Sequence, residues 1–198
     1  RSAHRATGVR QQQIIEAARF IIASKGMEEL TIREVAREVG ISEGDIYRHF
    51  NSKRNILLLL MDDIERTLLD TVDSAVSEGK DPLANLRQIL EVYLSDTEQR
   101  RGVSFLVIAE TMRLRDKELR QRMAGVITRY LVRIRGILEQ GMASGHIKGD
   151  CDPEAMALLF FGMIQAQVTL WSLSEHSFVL SEKASPLWRA YRQSIAAG

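Results

Sequence analysis

The side chains of this 198-residue chain best suited to meeting a polyanion lie between positions 31 and 53. Thr31, Tyr47, His49 and Lys53 each offer a hydrogen-bond donor for a phosphate oxygen, the kind of contact that positions a protein on a duplex. Arg33 and Arg48 add planar cations suited to guanine or phosphate, and Ser42 adds a hydroxyl. Glu43 and Asp45 run against this pattern, since a carboxylate opposes phosphate. A carboxylate also accepts from the amino group of cytosine, a contact worth about 1–3 kcal/mol of discrimination, so Glu43 is a candidate base reader. Helix capping explains Asp45 more simply. The donors have local uses as well: Thr31 as a cap, Tyr47 with its ring half buried, Lys53 in the first turn of the next helix.

Holding these groups on one face requires short, well-terminated elements. The stretch TIREVAREVGISEGDIYRHF, residues 31–50, reads as two short helices joined by a tight turn. Thr31 and Glu34 form a capping box that opens the first helix, and Val35, Ala36 and Val39 face inward. Gly40 suits the left-handed conformation that ends a helix at low steric cost, and Ile41 plugs the angle between the helices. Ser42 and Asp45 form a second capping box, with Ile46 and Phe50 inward at a four-residue interval. Glu43, Tyr47, Arg48 and His49 remain outward. This is the layout of a helix-turn-helix DNA reader.

Charge is distributed to match. The whole chain carries only +1, but residues 1–55 hold ten Lys/Arg against seven Asp/Glu, and the remainder seventeen against nineteen. The three arginines among the first ten residues predict a basic arm leading into the first helix; a solvated tail is the plainer alternative. Cys151 is the sole cysteine, so no intrachain disulfide is possible. No charged-then-apolar signal segment is visible at the start, although the sequence opens without Met. The longest apolar run, residues 155–164, is shorter than the roughly 20 residues a membrane span needs. A cytoplasmic location is expected.

Long segments of 3.6-residue period and the scarcity of prolines and hairpin signals predict an all-α chain. A first helix over residues 9–24 buries Ile14, Ala17, Ala18, Ile21 and Ile22. A fourth helix follows Asn51-Ser52, and Asp81-Pro82 opens a fifth whose buried side is Leu83, Leu86, Leu90 and Leu94. Residues 103–114 form a sixth and a long seventh reaches about 143. Asp152-Pro153 starts an eighth that reaches about 173, and Pro186 opens the last. The eighth is apolar on nearly every side and must therefore be buried on nearly every side. One face can meet its own core and the other a second copy, with Gly162 and Ala166 allowing a close crossing; a central helix within the monomer is the alternative.

Residues 14–55 resemble the TetR family of bacterial transcriptional regulators. The matching pieces are IIEAARFIIASKG, LTIREVAREVGIS, and G-x-I-Y-R-H-F-x-S-K from Gly44 to Lys53. The remainder matches in length and helical layout. The resemblance implies a reader over residues 1–52 and a helical regulatory, ligand-binding and dimerisation domain over residues 53–198. It implies a homodimer through helices 8 and 9, for which Ala155, Leu159, Gly162, Ala166, Trp188 and Tyr191 are the candidates. It places Thr31, Tyr47, His49 and Lys53 where similar proteins hold the phosphate backbone. Glu43 and Asp45 depart from the family pattern, which commonly has small, hydroxyl or basic residues there.

By the same analogy an effector lies among helices 4 to 8. Candidates with an apolar body or a polar handle are Met61, Tyr93, Phe105, Glu110, Met123, Tyr130, Phe161, Gln165 and Trp171, and their Met and aromatic character suits an apolar or amphipathic ligand. No catalytic or cofactor constellation stands out. None of the four histidines follows a Glu by three residues, and His146, Asp150, Cys151 and Asp152 are explained by a helix end as readily as by zinc. The expected protein is a ligand-responsive regulator, a repressor on a near-palindromic duplex. Two alternatives are a same-fold protein that answers to a protein partner or organises DNA, and a helical small-molecule binder without specific DNA affinity.

Overall fold

The computed structural model describes residues 2–48, 50–77 and 81–197. Its elements are α1 (Ser2–Lys25), α2 (Ile32–Val39), α3 (Glu43–Tyr47), α4 (Lys53–Ser77), α5 (Pro82–Gln99), α6 (Val103–Arg113), α7 (Lys117–Ala143), α8 (Pro153–Leu173) and α9 (Ala184–Ile195), with short 3-10 turns at Met27–Glu29 and Ser181–Lys183. Among the described residues there is no strand, only an isolated bridge between Ile147 and Ala196. The all-α expectation holds. Helix α1 begins at Ser2, so Arg5 and Arg10 of the segment expected as a basic arm lie on the helix, and Arg1 lies outside the described residues. Helix α9 begins two residues before Pro186. A proline is tolerated there because the first-turn amides of a helix have no intrahelical acceptor to lose.

The chain divides into two compact units. One takes the chain as far as Ile64 and returns for Val103–Ala124; the other holds Glu65–Gly102 and the chain from Gly125 onward. The boundary read from the sequence at residue 52 falls inside the first unit. That unit gathers α6 and the start of α7 to the reader, because α1 packs on α2 and on α6. Ile14, Ala18, Ile21, Leu30, Val35, Ile46, Ile56 and Leu57 form its core, each wholly buried. Ion pairs brace it: Arg19 with Asp63, Arg54 with Asp116 and Glu118, and Arg122 with Asp62.

In the second unit α5 packs against α8 and α9. Asp81 caps α5 by accepting from the Ala84 amide at 3.0 Å, with Pro82 in the first turn, and Asp152 and Pro153 repeat the device on α8. Leu86, Ile89, Leu90, Leu94, Ile134, Phe160 and Ile164 are wholly buried. The Glu98 carboxylate accepts from the Leu180 amide and the Ser181 hydroxyl, both at 2.7 Å, and these bonds hold its pKa below the usual range. This fixes the segment that enters α9.

Candidate nucleic-acid interface and effector site

The reader is built by caps. The Thr31 hydroxyl accepts from the Glu34 amide at 3.1 Å, and Gly40 closes α2 at φ 75°, where an L side chain is strained. The Ile41 amide then reaches back to the Ala36 carbonyl at 3.0 Å. Only half of the expected capping box forms, because the Glu34 carboxylate is drawn to Arg37 at 2.5 Å and Lys25 at 3.2 Å. Ser42 caps α3, accepting from the Asp45 amide at 3.1 Å and donating its hydroxyl to Asp45 Oδ2 at 2.7 Å. That hydroxyl, with Arg48 and Arg10, lowers the Asp45 pKa.

Ile46 and Phe50 turn inward, and Thr31, Arg33, Ser42, Glu43, Gly44, Tyr47 and Arg48 are exposed, as the spacing requires. His49 lies outside the described residues. The two carboxylates that departed from the family pattern are both paired. Arg33 Nε donates to Glu43 Oε1 at 3.1 Å, and Arg48 lies 3.7 Å from Asp45. Exposed pairs of this kind are worth about 0–1 kcal/mol, so they neutralise the face without locking it. Arg33 and Glu43 thus form one exposed, paired group spanning α2 and α3.

Lys53 is placed differently from the other donors. Its ammonium donates to the Met27 carbonyl at 2.9 Å and pairs with Glu110 at 3.0 Å, so it points into the first unit. Glu110, 4% exposed, also accepts from Arg113 Nε and Nη2 at 2.7 and 2.9 Å. The Arg113 hydrogen bonds first, and then Lys53, pull its carboxyl down to about 2. Glu110 was expected as a polar handle for an effector; its oxygens are instead taken by two cations. The sequence places Arg113 one turn on from Glu110 but could not show Lys53, because 57 residues separate it from Glu110.

Of the other effector candidates, Met61, Met123 and half-buried Phe105 belong to the first unit. Trp171 has spent its polar handle, donating Nε1 to the Phe178 carbonyl at 2.9 Å while its ring lies 3.9 Å from that of His176. Tyr93 on α5, Tyr130 on α7, and Phe161 and Gln165 on α8 converge within the second unit. The Tyr130 ring centroid lies 6.2 Å from Tyr93 and 6.1 Å from Phe161, and Gln165 Nε2 donates to the Tyr93 oxygen at 3.1 Å. The Tyr130 hydroxyl is buried and has no partner among the described residues. Such a group costs about 1–3 kcal/mol. Burial pushes the Tyr93 pKa up to about 12 and that of Tyr130 well above its usual value, so both phenols stay protonated at neutral pH.

Helix α8 splits by face. Ala157, Phe160, Ile164, Val168 and Trp171 are buried, whereas Ala155, Leu159, Gly162, Ala166, Leu170 and Leu173 stand exposed at steps of three and four residues. Leu159, Leu170 and Leu173 are 56%, 58% and 78% exposed, an apolar stripe rather than scattered surface leucines. Leu170 and Leu173 extend the stripe beyond the residues picked from sequence, on the same period. Trp188 and Tyr191, expected beside it, turn inward. Tyr191 packs edge-on against Phe160 at 5.3 Å and donates to the Met156 carbonyl at 2.8 Å, and Trp188 is buried beside it with ring centroids 6.3 Å apart. At 21 residues and mean hydropathy 1.5, α8 has the length and composition to cross a bilayer, although its longest unbroken apolar run is shorter than expected for a span, because Gln165, Gln167 and Thr169 interrupt the run without adding charge.

Comparison with known proteins agrees with this layout. Residues 14–60 match the family described as bacterial regulatory proteins, tetR family, and residues 61–192 match the C-terminal region of YsiA-like protein. A fatty acid metabolism regulator protein of Bacillus subtilis is 28% identical over 170 residues, 85% of this chain and 86% of its own. A nucleoid occlusion factor, SlmA, of Vibrio atlanticus is 24% identical over 180 residues, 90% of this chain and 92% of its own. The structure of the transcriptional regulator FadR from Bacillus subtilis in complex with stearoyl-CoA superposes with a TM-score of 0.81 at 25% identity, covering 91% of this chain and 96% of that one. FadR from Bacillus halodurans superposes with a TM-score of 0.83 at 23% identity, covering 92% and 94%. The chain belongs to the TetR family of bacterial regulatory proteins and is a DNA-binding transcriptional regulator.

Proposed function

We propose that the protein is a cytoplasmic, homodimeric repressor that occupies a near-palindromic operator and leaves it on binding a long-chain acyl thioester. The observation that carries the effector class is the likeness, along nearly the whole chain, to a regulator solved with stearoyl-CoA. The cluster of Tyr93, Tyr130, Phe161 and Gln165 supports it, since an aromatic lining with a few polar groups suits an amphipathic molecule. The exposed α8 stripe supports the dimer: a two-fold axis places the same apolar stripe opposite itself, and small Gly162 and Ala166 let the helices approach. The DNA face is Thr31, Arg33, Ser42, Glu43, Gly44, Tyr47 and Arg48, with His49 assigned to it by its position in the motif and Lys53 left out because Met27 and Glu110 hold its ammonium inward.

Release follows if the acyl thioester binds the DNA-incompetent geometry more tightly, because equal affinity for both geometries shifts nothing. Fluorescence anisotropy of a labelled operator titrated with stearoyl-CoA tests this. Micromolar stearoyl-CoA should free the DNA while free CoA should not; an operator complex indifferent to stearoyl-CoA would refute the effector class. The likeness to SlmA favours a second reading, in which the protein organises DNA at many sites. Genome-wide occupancy at numerous dispersed sites, unaltered by acyl-CoA, is the result that reading requires.

A further inference from the structure

We propose that Tyr130, with Tyr93 beside it, holds the carbonyl oxygen of the effector's thioester through neutral phenol hydrogen bonds. The inference rests on the acyl-thioester reading and specifies which atom of that ligand is recognised. Tyr130 is 1% exposed, and its hydroxyl has no partner among the described residues. A buried hydroxyl with no acceptor is the kind of group that a ligand completes. Tyr93 is held the complementary way round: its oxygen accepts from Gln165 Nε2 at 3.1 Å, which leaves its own hydrogen to be donated elsewhere. With ring centroids 6.2 Å apart, the two tyrosines bring two hydroxyl hydrogens into one part of the unit, with no acceptor for that of Tyr130 among the described residues.

The electrostatics select the acceptor. Burial raises both phenols first; among the described residues the groups that then act on Tyr130 are Tyr93 and Tyr191, the one that acts on Tyr93 is Gln165, and no cation is among them. A carboxylate placed here would lie buried without a counter-charge, which is costly, whereas a carbonyl oxygen needs only donors. A thioester or ester carbonyl therefore fits better than the carboxylate of a free fatty acid. Phe161, edge-on to Tyr130 at 6.1 Å, supplies apolar surface beside the two donors, as the start of an acyl chain would require.

The experiment compares wild type and Tyr130→Phe for binding of two probes, stearoyl-CoA and its thioether analogue, in which a methylene replaces the thioester carbonyl. Tyr130→Phe should weaken stearoyl-CoA binding by roughly 5- to 10-fold, the worth of one neutral hydrogen bond, and leave thioether binding unchanged. Ligand-free Tyr130→Phe should melt at or slightly above the wild-type temperature, because an unsatisfied buried hydroxyl has been removed; this establishes that the variant is folded. Equal loss for both probes, or no loss for stearoyl-CoA, overturns the carbonyl contact while leaving the acyl-thioester reading intact. Wild-type protein that binds neither probe overturns that reading and this inference with it.

Discussion

Replacing Glu110 with glutamine should destabilise the first unit in a way that depends on pH. The carboxylate is 4% exposed and meets Lys53 at 3.0 Å and Arg113 at 2.7 and 2.9 Å, which lower its pKa from 4.5 to about 2. A depressed carboxyl pKa contributes stability that is fully present above about pH 4.5 and is lost as the pH falls toward 2. At about 1.4 kcal/mol per unit, the contribution at pH 7 is about 3 kcal/mol, and about 2 kcal/mol of it should survive at pH 3.5. Glutamine removes the charge and leaves two cations facing a neutral amide. For a chain of this size each kcal/mol moves the melting temperature by about 2–4 °C, so Glu110→Gln should melt about 6–12 °C below wild type at pH 7. Thermal melts followed by circular dichroism between pH 7 and 3.5 should show the gap narrowing by about a third. Combining Glu110→Gln with Lys53→Met should recover at least about 1 kcal/mol, since the two residues interact directly. A gap that stays constant with pH, or one below 2 °C at pH 7, would refute the ion-pair reasoning.

Lys53→Ala should lower stability and leave the salt slope of operator binding unchanged, because its ammonium is held by Met27 and Glu110; a slope smaller by about 1 would show that it moves to a phosphate on DNA. Gly162→Leu should weaken dimerisation by roughly 10- to 100-fold in sedimentation velocity without lowering the stability of the subunit. A Cβ at that position meets nothing within 4 Å in a single copy, so an unaltered dimer would place the interface elsewhere. Arg33→Ala and Glu43→Ala should alter preference at the same operator base pair, because the two side chains are hydrogen-bonded at 3.1 Å. Changes at different base pairs, or no change for Glu43→Ala, would separate their roles.

What could be read from sequence follows the range of the interactions involved. Gly40, Ser42, Asp81-Pro82 and Asp152-Pro153 act on the backbone within a few residues, so the helix ends they set were visible in a linear reading. The outward face of α3 followed from Ile46 and Phe50 being buried, which periodicity alone implies. The partners of the polar head groups are harder to read where they come from another helix: Lys53 reaches Glu110 from α4, and Arg33 reaches Glu43 from α2, whereas Arg113 lies one turn from Glu110 on the same helix. The inward packing of Trp188 and Tyr191 is hidden for a related reason. An aromatic pair at helical spacing shows that α9 has an apolar face and does not show which neighbour covers it; Phe160 and the Met156 carbonyl do. On α8 the same uncertainty was smaller, since a helix apolar on both faces must find two neighbours.

Selection of the purified protein on a randomised duplex library at near-physiological salt, followed by sequencing of the retained DNA, tests the reader and the dimer together. A ligand-controlled dimeric regulator should recover a palindrome whose half-site centres lie one helical turn apart, about 34 Å, or a multiple of it. Stearoyl-CoA added to the same selection should abolish the enrichment. Retention of no preferred sequence, or of a single half-site at any spacing, would contradict a two-fold dimer reading DNA through α3.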